Sequence, residues 1–102
     1  MAQRVIFTPE AEAHLLSLFR YIAHEASATI AERFTTAIVD HCASLDHFPK
    51  RGTPRDDLRP GLRTLAFRRS VTIAYCIRDE DVAILGVFYR GQDFEGMLRY
   101  ES

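Results

Sequence analysis

The chain has 102 residues, 47% of them hydrophobic and 26% charged, and a formal net charge of −1. That length predicts a single domain over residues 1–102 and is too short for a (β/α)8 barrel, a two-domain dinucleotide enzyme or a long solenoid. The near-zero net charge gives no overall attraction to nucleic acid or to a membrane surface.

Arg4–Thr8 is short and rich in β-formers, and it ends on a helix-start signal. Thr8 can cap the first free amides, Pro9 suits the first helical position, and Glu10 sets negative charge at the positive end of the helix dipole. Apolar residues then recur at Ala11, Leu15, Leu18/Phe19, Ile22 and Ala26, predicting a helix over about Pro9–Glu25. A second helix restarts at Ser27 or at Thr29, the latter forming a capping-box pattern with Glu32. Its stripe runs through Ile30, Phe34, Ala37/Ile38, Cys42 and Leu45, and it must stop near Phe48, ahead of Pro49. The two helices read as an αα-hairpin.

Lys50–Gly61 is punctuated by Gly52, Pro54, Pro60 and Gly61 and reads as an irregular connection. The period then changes to two. Leu65 and Phe67 share a face, and Val71, Ile73, Tyr75 and Ile77 alternate with Thr72, Ala74, Cys76 and Arg78. Asp79-Glu80-Asp81 is a polar turn, and Val82–Tyr89 is apolar on nearly both faces, as an internal strand is when both its faces are covered. The expected fold is α+β, in the order β-α-α-β-β-β, with an antiparallel-rich sheet and a helical hairpin packed on one face.

Charge is unevenly spread. Residues 50–69 hold seven basic side chains against Asp56 and Asp57, a local balance of +5 that leaves −6 for the remainder. Twelve of the thirteen basic residues are arginine, whose rigid fork of donors suits carboxylates and phosphates. If the strand stays regular from Arg63 to Arg69, both lie on the face of Leu65 and Phe67, with Arg68 on the other. The segment is either a solvated rim or a contact surface for an acidic protein segment or a nucleic-acid backbone.

Few residues offer chemistry. His14, His24, His41 and His47 are scattered over the helices and their ends, and no glycine-rich phosphate loop is present. Cys42 and Cys76 lie in no disulfide or zinc pattern, so no metal and no cofactor is expected. No signal-peptide stretch and no membrane span is read, which predicts reduced thiols and a cytoplasmic chain. The one chemically plausible set is Arg63, Arg68, Arg69, Tyr89 and Arg90 at the strand ends. A tyrosine flanked by cations can take the proton of a 2′-hydroxyl while arginines hold the phosphate, or the same set can simply bind.

The run Leu58-Arg59-Pro60-Gly61-Leu62-Arg63 follows Phe48-Pro49 and Gly52, and precedes Val71–Tyr75 and Val82–Asp93. With Phe7–Ala11 at the start and Ala31 and Phe34 in helix two, this order resembles the ParE branch of the RelE/ParE toxin superfamily over almost the whole chain. The resemblance implies a small toxin of a type II toxin–antitoxin system, in a hetero-oligomer with a cognate antitoxin whose C-terminal segment wraps it. It also implies DNA gyrase as the target of a non-catalytic toxin. The RelE-like alternative is a ribosome-dependent mRNA endonuclease; a further alternative is a non-catalytic adaptor or an inactive toxin relative.

In these terms the antitoxin groove is expected across helix one and the sheet edge, at Leu16, Phe19 and Ala23, with Arg59 and Arg63 adding charge. The target surface is expected at Arg68, Arg69, Tyr89, Arg90, Phe94 and Met97. A nuclease would instead use Arg63, Arg69 and Arg90 on the phosphate, with Tyr89 or Tyr100 as the proton acceptor.

Overall fold

In the computed structural model, which describes residues 4–90 and 92–100, a four-residue strand, β1 (Arg4–Phe7), runs straight into a capped helix, α1 (Pro9–Glu25). The Thr8 hydroxyl performs two tasks at this junction. It accepts the Ala11 N–H at 3.2 Å and donates to the Ile84 carbonyl at 2.9 Å, so the cap also pins the helix to the sheet. The second helix, α2 (Ala28–Ala43), is capped by Ser27, whose Oγ accepts the Ile30 N–H at 3.1 Å. Of the two predicted starts Ser27 is therefore the one used, and Thr29 lies inside the helix. Regular α-helix ends at Ala43 rather than near Phe48, and single 3-10 turns at Ser44–Asp46 and Pro49–Arg51 complete the descent.

Among the described residues five strands form one sheet. The two-residue β2 (Thr53–Pro54), then β3 (Leu62–Phe67), β4 (Val71–Arg78) and β5 (Asp81–Tyr89) follow the helices, giving the spatial order β1-β5-β4-β3-β2. β1 pairs parallel to β5, and every other neighbouring pair is antiparallel. The fold is α+β, as predicted, with β2 and a short helix, α3 (Phe94–Tyr100), added to the predicted elements.

The two-sided character of β5 has a local cause. Ala74 pairs with Gly86 but Tyr75 pairs with Ile84, so Leu85 is an extra residue in a β-bulge. The alternation slips there by one. Val82, Ile84, Val87 and Tyr89 pack on the hairpin side, while Leu85 and Phe88 turn to the opposite face. The front core joins these to Ala11, Leu18, Ile22, Ile38, Cys42, Ile73 and Tyr75. A smaller back core, Leu58, Leu62, Ala74, Phe88 and Leu98, is roofed by α3.

β1 reaches only as far as Ile84, so β5 beyond that point is a sheet edge. Its outward amides are taken by side chains: His14 Nδ1 accepts from Val87 N–H at 3.1 Å, and Gln92 Oε1 from Tyr89 N–H at 2.5 Å.

Candidate functional site

The basic residues sort into two groups. Arg55 is locked between Asp57 (3.0 Å) and Glu95 (2.5 Å), which raises its pKa, and it holds the Asp57 carboxyl below the usual carboxylate range. Arg59 donates to the Leu98 carbonyl at 2.8 Å, behind the sheet. Arg63 donates to the carbonyls of Lys50 (3.0 Å) and Gly52 (2.8 Å). These three arginines hold the irregular 50–61 segment and α3 in place. Arg68, Arg69 and Arg90 are different: among the described residues their guanidiniums make no hydrogen bond or ion pair to another residue.

All three occupy turns at one end of the sheet. β3 stops at Phe67, so the regular strand expected through Arg69 is not formed; the Phe67 carbonyl accepts the Ser70 N–H across Arg68 and Arg69. Both have positive φ, 49° and 63°, as in the type I′ turns that favour Asn-Gly. Arg90 also has positive φ, 24°, and its N–H donates to the Ser70 carbonyl at 2.9 Å, drawing the two turns together. Non-glycine residues in this region carry a backbone cost, so the turn chemistry alone does not account for arginine here.

Aromatic rings run beneath these cations. Tyr21, Tyr89, Phe34, Phe67 and His41 form a continuous series, with successive centroids 5.1–6.0 Å apart. The Arg68 guanidinium sits 4.8 Å from the Phe67 centroid and that of Arg90 5.1 Å from Tyr89. At the end of the series burial and the Arg51 guanidinium push the His41 pKa below the ordinary histidine value.

Two concavities meet at Tyr89, Arg90 and Gln92. One is a polar pocket of about 160 Å³ on the back of the sheet, also lined by Arg69, Ser70, Thr72, Phe88 and Phe94. The other is a cleft of about 430 Å³ between α1 and the β5 edge, lined further by His14, Ser17, Leu18, Tyr21 and Val87.

Of the target-surface residues, Arg69, Tyr89, Arg90 and Phe94 therefore come together, with Arg68 in the adjoining turn and Met97 exposed on α3. The antitoxin set is not one patch. Leu16 is half exposed on α1 and Phe19 and Ala23 pack partly against the front core, whereas Arg59 and Arg63 are tied to other layers. The nuclease set is also split: Arg63 lies four residues before the end of β3, roughly 13 Å of extended strand from Phe67, and points at the Lys50–Gly52 backbone, whereas Arg69 sits in the turn beyond Phe67. The Tyr100 side chain lies outside the described residues. His14, Tyr21, Thr72 and Gln92 belong to the site without a sequence signal, since each sits in ordinary helix, strand or loop context.

No group of His, Cys, Asp or Glu among the described residues is arranged to hold a metal. Burial pushes the Cys42 thiol up to about 12, which keeps it protonated and unreactive. No helix among the described residues is long and apolar enough to cross a membrane.

Comparison with known proteins agrees with this architecture. Residues 5–94 match the family described as the ParE toxin of the type II toxin–antitoxin system, parDE. Toxin ParE3 of Caulobacter vibrioides is 33% identical over 84 residues, covering 82% of this chain and 83% of its own. A chain of the chromosomal ParDE toxin–antitoxin system from P. aeruginosa superposes with a TM-score of 0.77 at 20% identity, over 87% of this chain and 97% of that one. One from the RelBE2 toxin–antitoxin complex of Mycobacterium tuberculosis does so with a TM-score of 0.65 at 27% identity, over 88% and 100%. The arginine-capped sheet and its helical hairpin thus have relatives in sequence as well as in shape, and the chain belongs to the ParE toxin family of type II toxin–antitoxin systems.

Proposed function

We propose that this chain poisons DNA gyrase without cutting a bond itself, and that a cognate antitoxin neutralises it in a hetero-oligomer. The observation that carries the target reading is that Arg68, Arg69 and Arg90, whose guanidiniums make no hydrogen bond or ion pair among the described residues, gather beside Tyr89 and Phe94 at one end of the sheet. Such a surface offers cations for acidic groups or DNA phosphates and an aromatic anchor between them. The position of Arg63 favours docking over cleavage, because its donors are engaged at the other end of β3. The antitoxin follows the apolar flank of α1 at Leu16, Phe19 and Ala23, opposite in helical angle to the Ser17 and Tyr21 side that lines the cleft. The relatives support the antitoxin reading through the ParDE and RelBE2 systems in which they occur.

The purified chain is added to gyrase supercoiling reactions and, separately, to translating ribosomes. Cleaved gyrase–DNA complexes with intact mRNA are expected, and they disappear with Arg69→Ala or Arg90→Ala. Codon-phased mRNA cuts with gyrase unaffected would reverse the reading, and silence in both assays would point to an inactive relative or an adaptor. Co-expression with the neighbouring gene product is expected to yield a stable complex, weakened by Leu16→Glu.

A further inference from the structure

The outer face of α2 carries opposite charges that find no partner in the fold. Arg33 and Asp40 lie two helical turns apart on one line of the helix, about 10.5 Å. Among the described residues neither makes an ion pair or a side-chain hydrogen bond. Between them stand Thr36 and Ala37, and with Thr29 and Glu32 they line a shallow concavity of about 420 Å³ formed by this helix alone. The half-exposed Ile30 falls in line with Ala37, two turns earlier. The core is served by the other side of the helix, through Ala31, Ile38 and Cys42, so packing within the chain does not account for the outer face.

We propose that this face pairs with the same face of a second copy of the chain, α2 against α2 in antiparallel order about a two-fold axis. Arg33 and Asp40 stand at equal distances, about 5 Å, on either side of the midpoint between Thr36 and Ala37. A two-fold axis through that midpoint sets Arg33 of each copy against Asp40 of the other, so two ion pairs form at once. Thr36 and Ala37 meet at the crossing, where short side chains let the two helices approach closely. Glu32, about 100° round the helix from Arg33, stays at the rim. A parallel pairing would instead oppose Arg33 to Arg33 and Asp40 to Asp40, and like charges face to face are costly. An acidic helix of another protein would satisfy Arg33 but repel Asp40, whereas a second copy satisfies both. Exposed ion pairs contribute little each, so the dimer is weak and reversible. None of the residues it uses lines either concavity at the arginine end.

This inference stands apart from the gyrase reading, since association is measured on the chain alone. Sedimentation equilibrium over roughly 5–500 µM protein is expected to show monomer and dimer in exchange. Arg33→Asp leaves both contacts between two acids and Asp40→Arg leaves both between two bases, and each is expected to weaken self-association by roughly tenfold or more. Mixed in equal amounts, the two variants are expected to form a heterodimer about as tight as the wild-type dimer, because each contact between them again joins opposite charges. Both positions are exposed, so Tm is expected to stay close to that of the parent, which separates lost pairing from lost folding. The proposal is overturned if the wild type is monomeric throughout, if the single variants associate as it does, or if their mixture associates no better than either alone. Loss of antitoxin binding in Arg33→Asp with unchanged self-association would overturn it too, and would give this face to the antitoxin.

Discussion

The imidazole Nδ1 of His14 accepts the backbone N–H of Val87 at 3.1 Å, tying α1 to the stretch of β5 that β1 leaves uncovered. The bond fixes the Nε2–H tautomer and occupies an edge amide that a foreign strand would otherwise pair with. Replacing His14 with Leu keeps the packing volume near Phe88 but leaves Val87 N–H without its acceptor. Urea unfolding is expected to show a loss of about 1–2 kcal/mol. Hydrogen exchange at Val87 should accelerate selectively, and unchanged exchange there would mean that His14 does not protect the edge.

Tyr75 has the corresponding role at the opposite end of the front core. Its hydroxyl donates to the Pro49 carbonyl at 2.7 Å and accepts the Gly52 N–H at 2.8 Å, while burial raises its pKa. Gly52 has no room for a side chain, since an added Cβ would lie 2.8 Å from the Thr64 carbonyl oxygen. Tyr75→Phe deletes both bonds and leaves a buried N–H unsatisfied, a cost of about 1–3 kcal/mol. Gly52→Ala should cost more, because backbone must move. Denaturation midpoints in the order wild type, Tyr75→Phe, Gly52→Ala are the expected result.

Ile73 lies fully buried on the central strand, between the helices and the neighbouring strands. Ile73→Asp would place a carboxylate there without a partner, and the several kcal/mol this costs rivals the whole stability of a small domain. Circular dichroism should show an unfolded or molten chain at 25 °C. A cooperative melt within a few degrees of the parent would remove Ile73 from the core.

That prediction was available from the alternation of Val71–Ile77, and so were the capped first helix, the hairpin and the internal position of β5 as far as Ile84. What escaped the sequence depends on partners distant in the chain. The bulge at Leu85 is a register relation between β4 and β5, and nothing local marks it. Arg63 reads as a surface cation until the Lys50 and Gly52 carbonyls, 13 and 11 residues away, fold over its donors. Arg68 and Arg69 lack turn-forming chemistry, so no local signal stops the strand ahead of them, although their φ values are positive. Arg69, Tyr89, Arg90 and Phe94 were legible as one surface because they follow strand ends, where charge and aromaticity stand out. Gln92 and His14 act through single hydrogen bonds to β5 amides, which carry no compositional trace.

Stability should fall with acid in two separate windows. The folded-state pKa of His41 is depressed by burial and by Arg51, so as pH drops through the unfolded value near ~6.5 the unfolded chain takes up the proton first. Its contribution is therefore full above that pH and declines until the lower folded pKa is passed. Asp57, depressed by Arg55, keeps its contribution above ~3.9 and loses it as pH falls to its folded value. Tm measured from pH 8 to pH 3 is expected to lose slope as pH falls below the unfolded histidine value near ~6.5 in His41→Gln, and below ~3.9 in Asp57→Asn. Parallel curves for His41→Gln and wild type would show that this imidazole titrates alike in both states.

The attachment of α3 provides a test of which force dominates at the back of the sheet. A seven-residue helix does not persist alone in water, so its contacts must hold it. Two kinds are present: Leu98, 2% exposed in the back core, and the polar ties of Arg55 to Glu95 and of Arg59 to the Leu98 carbonyl. Glu95 is half exposed, and such ion pairs contribute about 0–1 kcal/mol. Burying a leucine is worth more, and Leu→Ala in a core costs about 2–5 kcal/mol. Leu98→Ala should therefore free α3, with rapid amide exchange over Gly96–Arg99 and tryptic cleavage after Arg99 or Arg90, while the β4–β5 amides stay protected. Glu95→Gln should leave that exchange nearly as slow as in the parent. The reverse ranking would mean that α3 is fastened by charge, and that salt rather than apolar contact controls access to the back of the sheet.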